Sequence, residues 1–122
     1  PLNLIGRTNL KQLLALLQRA AVLIAPDSGP AHMATAAGVP VIGLYASTNP
    51  ERAAPYLSRR WCVNRYPEAM KEFNRQDAAS AHWGTRVRDP AAMNLISVED
   101  VTAKLEELIA AKKRGENLLS RM

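Results

Sequence analysis

One strand–turn–helix junction near the start of the chain limits what it can fold into. Ala21-Val22-Leu23-Ile24-Ala25 is short, apolar and β-branched, with no polar residue to mark a wet face. It predicts a strand from Val22 to Ala25, central in its sheet and covered on both sides. Met33-Ala34-Thr35-Ala36-Ala37 is small and helix-compatible, and Gly38 closes it. The helix should run from Pro30 to Ala37. A second β-branched run, Val41-Ile42-Gly43-Leu44-Tyr45, follows after Val39-Pro40. A strand, a helix and a strand this closely spaced form a right-handed parallel crossover. The expected fold class is therefore α/β: a Rossmann-like parallel sheet with flanking helices, with ligands at the carboxyl ends of the strands.

The turn itself is Asp27-Ser28-Gly29-Pro30-Ala31-His32. Pro30 suits the first helical position, where its missing N–H has no partner to lose. One of Asp27, Ser28 and Gly29 is the N-cap. Gly29 lets a ligand approach the backbone with no Cβ in the way. The free N–H groups of the first helical turn, with the positive end of the helix dipole, suit an anion such as a phosphate or pyrophosphate. His32 falls in that turn and can add a side-chain donor. Asp27 and Ser28 serve equally well as ordinary helix caps, and a lone histidine there is also common on a solvated surface.

The flanks read as follows. Leu2-Asn3-Leu4-Ile5 predicts the end of a strand, and Gly6-Arg7-Thr8-Asn9 a turn whose Thr8 or Asn9 caps the next helix. Leu10, Leu13, Leu14 and Leu17 recur at helical spacing up to about Ala20, with Lys11, Gln12, Gln18 and Arg19 off that face. Ala46-Ser47-Thr48-Asn49-Pro50 is the next carboxyl-end loop. It should lie beside the central turn, where Ser47 and Thr48 can donate to a ligand. Residues 51–89 show little periodicity. Trp61-Cys62-Val63 predicts a short strand and Glu68 to Gln76 a helix, while Arg59, Arg60, Arg65, Arg75, Arg86 and Arg88 are scattered and His82-Trp83 reads as surface or packing. So long a stretch without firm elements is suited to covering a cleft. Ser97-Val98-Glu99-Asp100 is a capping box. It opens a helix through Val101, Leu105, Leu108 and Ile109 to about Lys113, ended by Gly115.

Composition narrows the function classes. A chain of 122 residues makes one domain, residues 1–122, with one core. Hydrophobic residues make up 48%, which excludes a disordered chain. The single cysteine, Cys62, rules out an internal disulfide and a cysteine metal cluster, fits a reducing compartment and suits a half-buried packing role. No apolar run reaches the roughly 20 residues of a membrane span. The net charge is +5, and residues 1–61 hold six Lys/Arg against two Asp/Glu. That excess suits an anionic ligand or lipid head groups. Nucleic acid is not an expected partner, since no basic stripe is interleaved with aromatics.

Asp27-Ser28-Gly29-Pro30-x-His32-x-Ala34-x-Ala36-x-Gly38-x-Pro40 resembles the signature of the ADP-heptose:lipopolysaccharide heptosyltransferase family. Leu4-x-Gly6-x-Thr8-x-Leu10, then Leu44-Tyr45 with Thr48-x-Pro50, and later Ala92-Met93, Ile96 and Val101 are similar to the family's other segments in order. Ala46 stands where members commonly carry glycine. The resemblance implies a GT-B glycosyltransferase, of which this chain is a partial carboxyl-terminal, nucleotide-sugar-binding domain. The amino-terminal acceptor domain, the general base and a diphosphate-binding basic residue then belong to other segments. No catalytic residue, metal or cofactor is assigned to this chain, and the 122 residues alone are expected to be inactive. The implied donor site comprises Asp27, Ser28, Gly29, Pro30 and His32, with Thr8 toward the nucleoside. The implied partners are an ADP-sugar donor and, through the missing domain, a lipopolysaccharide core acceptor. The implied location is cytoplasmic, at the inner face of the inner membrane with peripheral contact.

A second reading is a non-catalytic nucleotide-sugar-binding or assembly module of the same fold. Its sheet edge at Leu2-Asn3-Leu4-Ile5 would pair with a missing half or in a homodimer. A third is another nucleotide-sugar enzyme, epimerase-like. His32 and the Ala-rich helix favour the heptosyltransferase pattern over it.

Overall fold

The structure, a computed structural model, describes residues 2–79, 81, 82 and 84–119. Trp83 and the last three residues of the tail lie outside that set, so the expectations placed on them have no structural counterpart.

Helix α1, Leu10–Arg19, begins at Asn9, whose side chain accepts from the Gln12 N–H while the Gln12 side chain accepts from the Asn9 N–H. This reciprocal pair satisfies two otherwise orphaned donors. Strand β1 is Leu23–Pro26, helix α2 is Gly29–Ala36 and strand β2 is Val41–Tyr45. The two strands are parallel, with Leu23 opposite Val41 and Ala25 opposite Gly43. The predicted crossover is therefore present. Gly38, at φ +79, ends α2 in a conformation that disfavours other residues.

A four-residue helix α3, Pro50–Ala53, and a 3₁₀ segment, Tyr56–Trp61, lead to a two-residue strand β3, Val63–Asn64. Strand β3 pairs parallel with the end of β2, giving the order β1-β2-β3. Helix α4, Tyr66–Ala69, runs into a π-type turn, Met70–Asn74, that ends at Arg75 in the left-handed region. A second 3₁₀ segment, Pro90–Leu95, precedes helix α5, Val98–Lys113.

Side-chain alternation on β2 divides the core. Val41 packs with Leu17, Ala25, Ala31 and Ala34 beneath α1 and α2. Ile42, on the other face, packs with Trp61, Val63, Leu108 and Ala111 beneath α5. A third cluster, with Ala46, Tyr66, Met70, Val87 and Ala92, lies beyond the carboxyl end of β2. Ser58 is fully buried and its Oγ accepts the Val41 N–H at 3.1 Å, clipping the 3₁₀ segment to the central strand. Trp61 is fully buried, and its indole N–H donates to the Leu118 carbonyl at 2.8 Å. Helix α5 starts at the predicted box: Ser97 Oγ accepts from Asp100 N–H, and Asp100 accepts from Ser97 N–H. Asp100 also takes a bidentate pair of bonds from Arg65, at 2.7 and 3.1 Å.

Four expectations are corrected. Residues 2–5 form no strand: Asn3 Oδ1 accepts from Ile5 N–H and Leu4 C=O from Arg7 N–H. These local turn bonds satisfy the backbone that a sheet ladder would have used. The edge proposed there for pairing with a second copy is thus absent. Strand β1, expected to be central, pairs with β2 alone among the described residues, and Ile24 is 43% exposed. A continuous apolar run records burial against a neighbour without saying which polypeptide segment supplies it. Trp61 belongs to a 3₁₀ segment, so the short strand starts only at Val63. The helix expected from Glu68 starts at Tyr66 and ends in the π turn.

Candidate functional site

The carboxyl ends of β1 and β2 open onto one cleft. Pro26, Asp27, Leu44, Ser47, Thr48, Arg86 and Met93 line it, and its volume is about 280 Å³. Parallel pairing explains the convergence: strands in register finish side by side, so the loops that follow them face each other. Ser47 and Thr48 thus meet Asp27, as the sequence predicts. Thr48 is buried, whereas Asp27 is exposed.

Helix α2 starts immediately after Asp27. Its N-cap is Ser28, at φ −164 and ψ 162, and its first helical residue is Gly29, so Pro30 takes the second position rather than the predicted first. No side chain caps this helix. Ser28 turns its hydroxyl back to donate to the Pro26 carbonyl at 3.1 Å. Neither Asp27 nor Ser28 therefore caps the helix through its side chain, and the first-turn N–H groups keep their donors for another acceptor. No atom lies within 4 Å of where a Cβ of Gly29 would stand, so the approach to the backbone there is open. His32 is exposed on the first turn of α2. Thr8 is half-buried before α1 and is not among the residues lining the cleft.

Arg86 and Met93 reach the cleft from distant sequence. Val87 N–H donates to the Ser47 carbonyl at 2.9 Å, which draws this strand-like segment against the β2 loop. Arg86 had no local signal beyond being one of several scattered arginines. Of residues 84–88, Arg86 lines the cleft. Ala46, the position with alanine in place of glycine, is fully buried in the cluster beyond β2.

Two titratable groups nearby are packing residues. Tyr45 is 1% exposed, and burial pushes its phenol well above the ordinary range. Its ring lies back over Gly43: a Cβ there would stand 3.1 Å from Cζ and 3.2 Å from the hydroxyl oxygen. Burial likewise pushes the Cys62 thiol up to about 11, against the opposing pull of Lys104 and Arg59. A larger hollow of about 600 Å³ lies between Pro67, Lys71, Arg75 and Ala78. It lies along α4 and the π turn and shares no lining residue with the cleft at the ends of β1 and β2. Among the described residues, no group of three or more His, Cys, Asp or Glu is assembled to hold a metal ion. No helix there is long and apolar enough to cross a membrane.

The model of glycosyltransferase family 9 (heptosyltransferase) matches residues 1–82. The lipopolysaccharide core heptosyltransferase OpsX of Haemophilus influenzae is 45% identical over 109 residues, covering 88% of this chain and 31% of that protein. Lipooligosaccharide heptosyltransferase 2 of the same species is 24% identical, over 84% of this chain and 30% of its own length. Lipopolysaccharide heptosyltransferase 3 of Escherichia coli is 26% identical, over 94% and 31%. No solved structure matches the chain. The chain spans about a third of the length of these curated relatives. The chain, whose parallel α/β crossover carries a helix start with no side-chain cap and which the family model matches over residues 1–82, belongs to glycosyltransferase family 9, the heptosyltransferases.

Proposed function

We propose that this chain is the donor-binding part of a heptosyltransferase that moves heptose from ADP-heptose to a lipopolysaccharide core acceptor. The observation that carries the reading is the uncapped start of α2 next to a cleft that joins Asp27 to Ser47 and Thr48. In the reaction an acceptor hydroxyl oxygen bonds to the anomeric carbon. The bond from that carbon to the diphosphate oxygen breaks, and ADP leaves with the electron pair. The acceptor proton passes to a base outside this chain. The α2 amides and His32 stabilise the charge that develops on the diphosphate, as fixed dipoles do when water need not reorganise around them. Asp27, as an acceptor-only carboxylate, takes hydrogen bonds from hydroxyl groups of the donor. The remaining acceptor-binding surface belongs to a separate GT-B domain, and the enzyme works at the inner face of the inner membrane.

The test uses the full-length protein. Asp27→Asn and His32→Ala should each lower heptose transfer, and ADP should bind in preference to UDP. Transfer at the unaltered rate in both variants would refute the assignment.

A further inference from the structure

Arg86 is fixed at the cleft by its backbone and left open at its side chain. Asn74 Nδ2 donates to the Arg86 carbonyl at 3.2 Å, and the Tyr66 hydroxyl donates to the Thr85 carbonyl at 2.6 Å. Val87, next in sequence, is 2% exposed and donates to Ser47. Residues 85–87 are therefore tied to α4, to the π turn and to the β2 loop. The Arg86 guanidinium itself enters no hydrogen bond or ion pair among the described residues. An arginine carried on so constrained a backbone, facing a cleft and spending its charge on no carboxylate, is preorganised for an external anion.

The other lining groups say which part of a ligand that anion is. Asp27 repels phosphate and suits hydroxyls, while Ser47 and Thr48 are neutral. Arg86 is the cation among the lining residues. We propose that Arg86 binds the diphosphate of the nucleotide-sugar donor, a role that rests on the donor-binding reading above. A cation on the diphosphate is then supplied within this chain, beside the basic residue implied for another segment, and by the stretch that is least readable in the sequence. Its planar fork contacts two phosphate oxygens at once, which an ammonium group does not reproduce.

The experiment titrates the full-length protein with ADP and, separately, with inorganic pyrophosphate. It compares wild type, Arg86→Ala, Arg86→Lys and the control Arg88→Ala, an exposed arginine outside the cleft lining. Circular dichroism confirms that each variant folds. Loss of one charge-assisted contact should weaken ADP roughly tenfold or more in Arg86→Ala, with only partial recovery in Arg86→Lys and none of the loss in Arg88→Ala. ADP binding within twofold of wild type in Arg86→Ala overturns the proposal and leaves the donor reading standing. Pyrophosphate binding that depends on Arg86, without any binding of ADP, upholds the phosphate contact and refutes the nucleotide donor. Binding of neither ligand by wild type overturns both.

Discussion

Gly43 sits in the middle of the central strand, and its missing side chain makes room for the Tyr45 ring. A Cβ built on Gly43 would stand 3.1 Å from Cζ and 3.2 Å from the hydroxyl oxygen of Tyr45, and closer still to Cε2. These are ring atoms of a residue 1% exposed, so the ring cannot swing into solvent to make space. The strand cannot yield readily either, because β1 and β3 are hydrogen-bonded to its two edges. Overpacking of this kind costs roughly 1–3 kcal/mol. With both ring and strand fixed, Gly43→Ala should fall near the upper end, about 2–3 kcal/mol. At an m-value of about 2 kcal/mol/M, the urea midpoint of the full-length protein should drop by about 1 M. The companion measurement repeats the substitution in a Tyr45→Leu background. There the added methyl meets no ring and should cost less than about 0.5 kcal/mol, so the two changes are strongly non-additive. An equal cost in both backgrounds, or a cost below about 0.5 kcal/mol in the wild type, would refute the steric account.

Other expectations follow from neighbouring groups. The Tyr45 hydroxyl is buried with no hydrogen-bond partner among the described residues. Tyr45→Phe should therefore be neutral or stabilising by about 1 kcal/mol in the same urea assay, and a clear loss would mean that the hydroxyl is bonded. Ser58→Ala leaves the Val41 N–H unpaired inside the protein, with a loss of roughly 1–3 kcal/mol; a change near zero would dismiss the clip. The Asp100 carboxyl falls from its ordinary 3.8 to about 2, first because Arg65 hydrogen-bonds to it and then because the Ser97 amide does. A pKa depressed on folding gives stability that is present above about pH 4 and lost as pH falls toward 2. Acid titration of Asp100→Asn should flatten that window, and an unaltered acid transition would rule out the contribution.

What could be read from the sequence was local. The turn from Asp27 to His32, the Asn9 cap and the Ser97–Asp100 box depend on residues within a few positions of one another, and each lies where expected. The pairing of β1 with β2 was equally legible, because a short crossover leaves few other arrangements. The place of β1 in the sheet was not, since apolar residues report that something covers them without naming it. The middle segment hid its structure for a related reason. Two-residue strands, 3₁₀ turns and a π turn carry no sustained period, and contacts such as Trp61 with Leu118 or Ser58 with Val41 decide their form. Arg86 belongs with these: a hydrogen bond between Val87 and Ser47, forty residues apart, brings it to the cleft. Ser28 is the N-cap by its backbone, but its hydroxyl turns toward Pro26 instead of the helix, which no local pattern predicts.

The way α5 is fastened bears on the order in which the fold assembles. Leu23 finds Val41 across the single helix α2, whereas Arg65 must find Asp100 35 positions away and Trp61 must find Leu118 57 positions away. Each doubling of loop length adds only about 0.6 kcal/mol of closure entropy, so length delays these contacts without forbidding them. The crossover should therefore form first and the carboxyl-terminal segment close over it, fastened by the Arg65–Asp100, Arg60–Glu116 and Trp61–Leu118 links. Weakening any of these links should hasten unfolding while leaving the folding rate nearly unchanged, as stopped-flow kinetics on Arg65→Ala would reveal. In mechanical terms the carboxyl-terminal helix is the latch of the molecule, and the crossover is the frame it closes on.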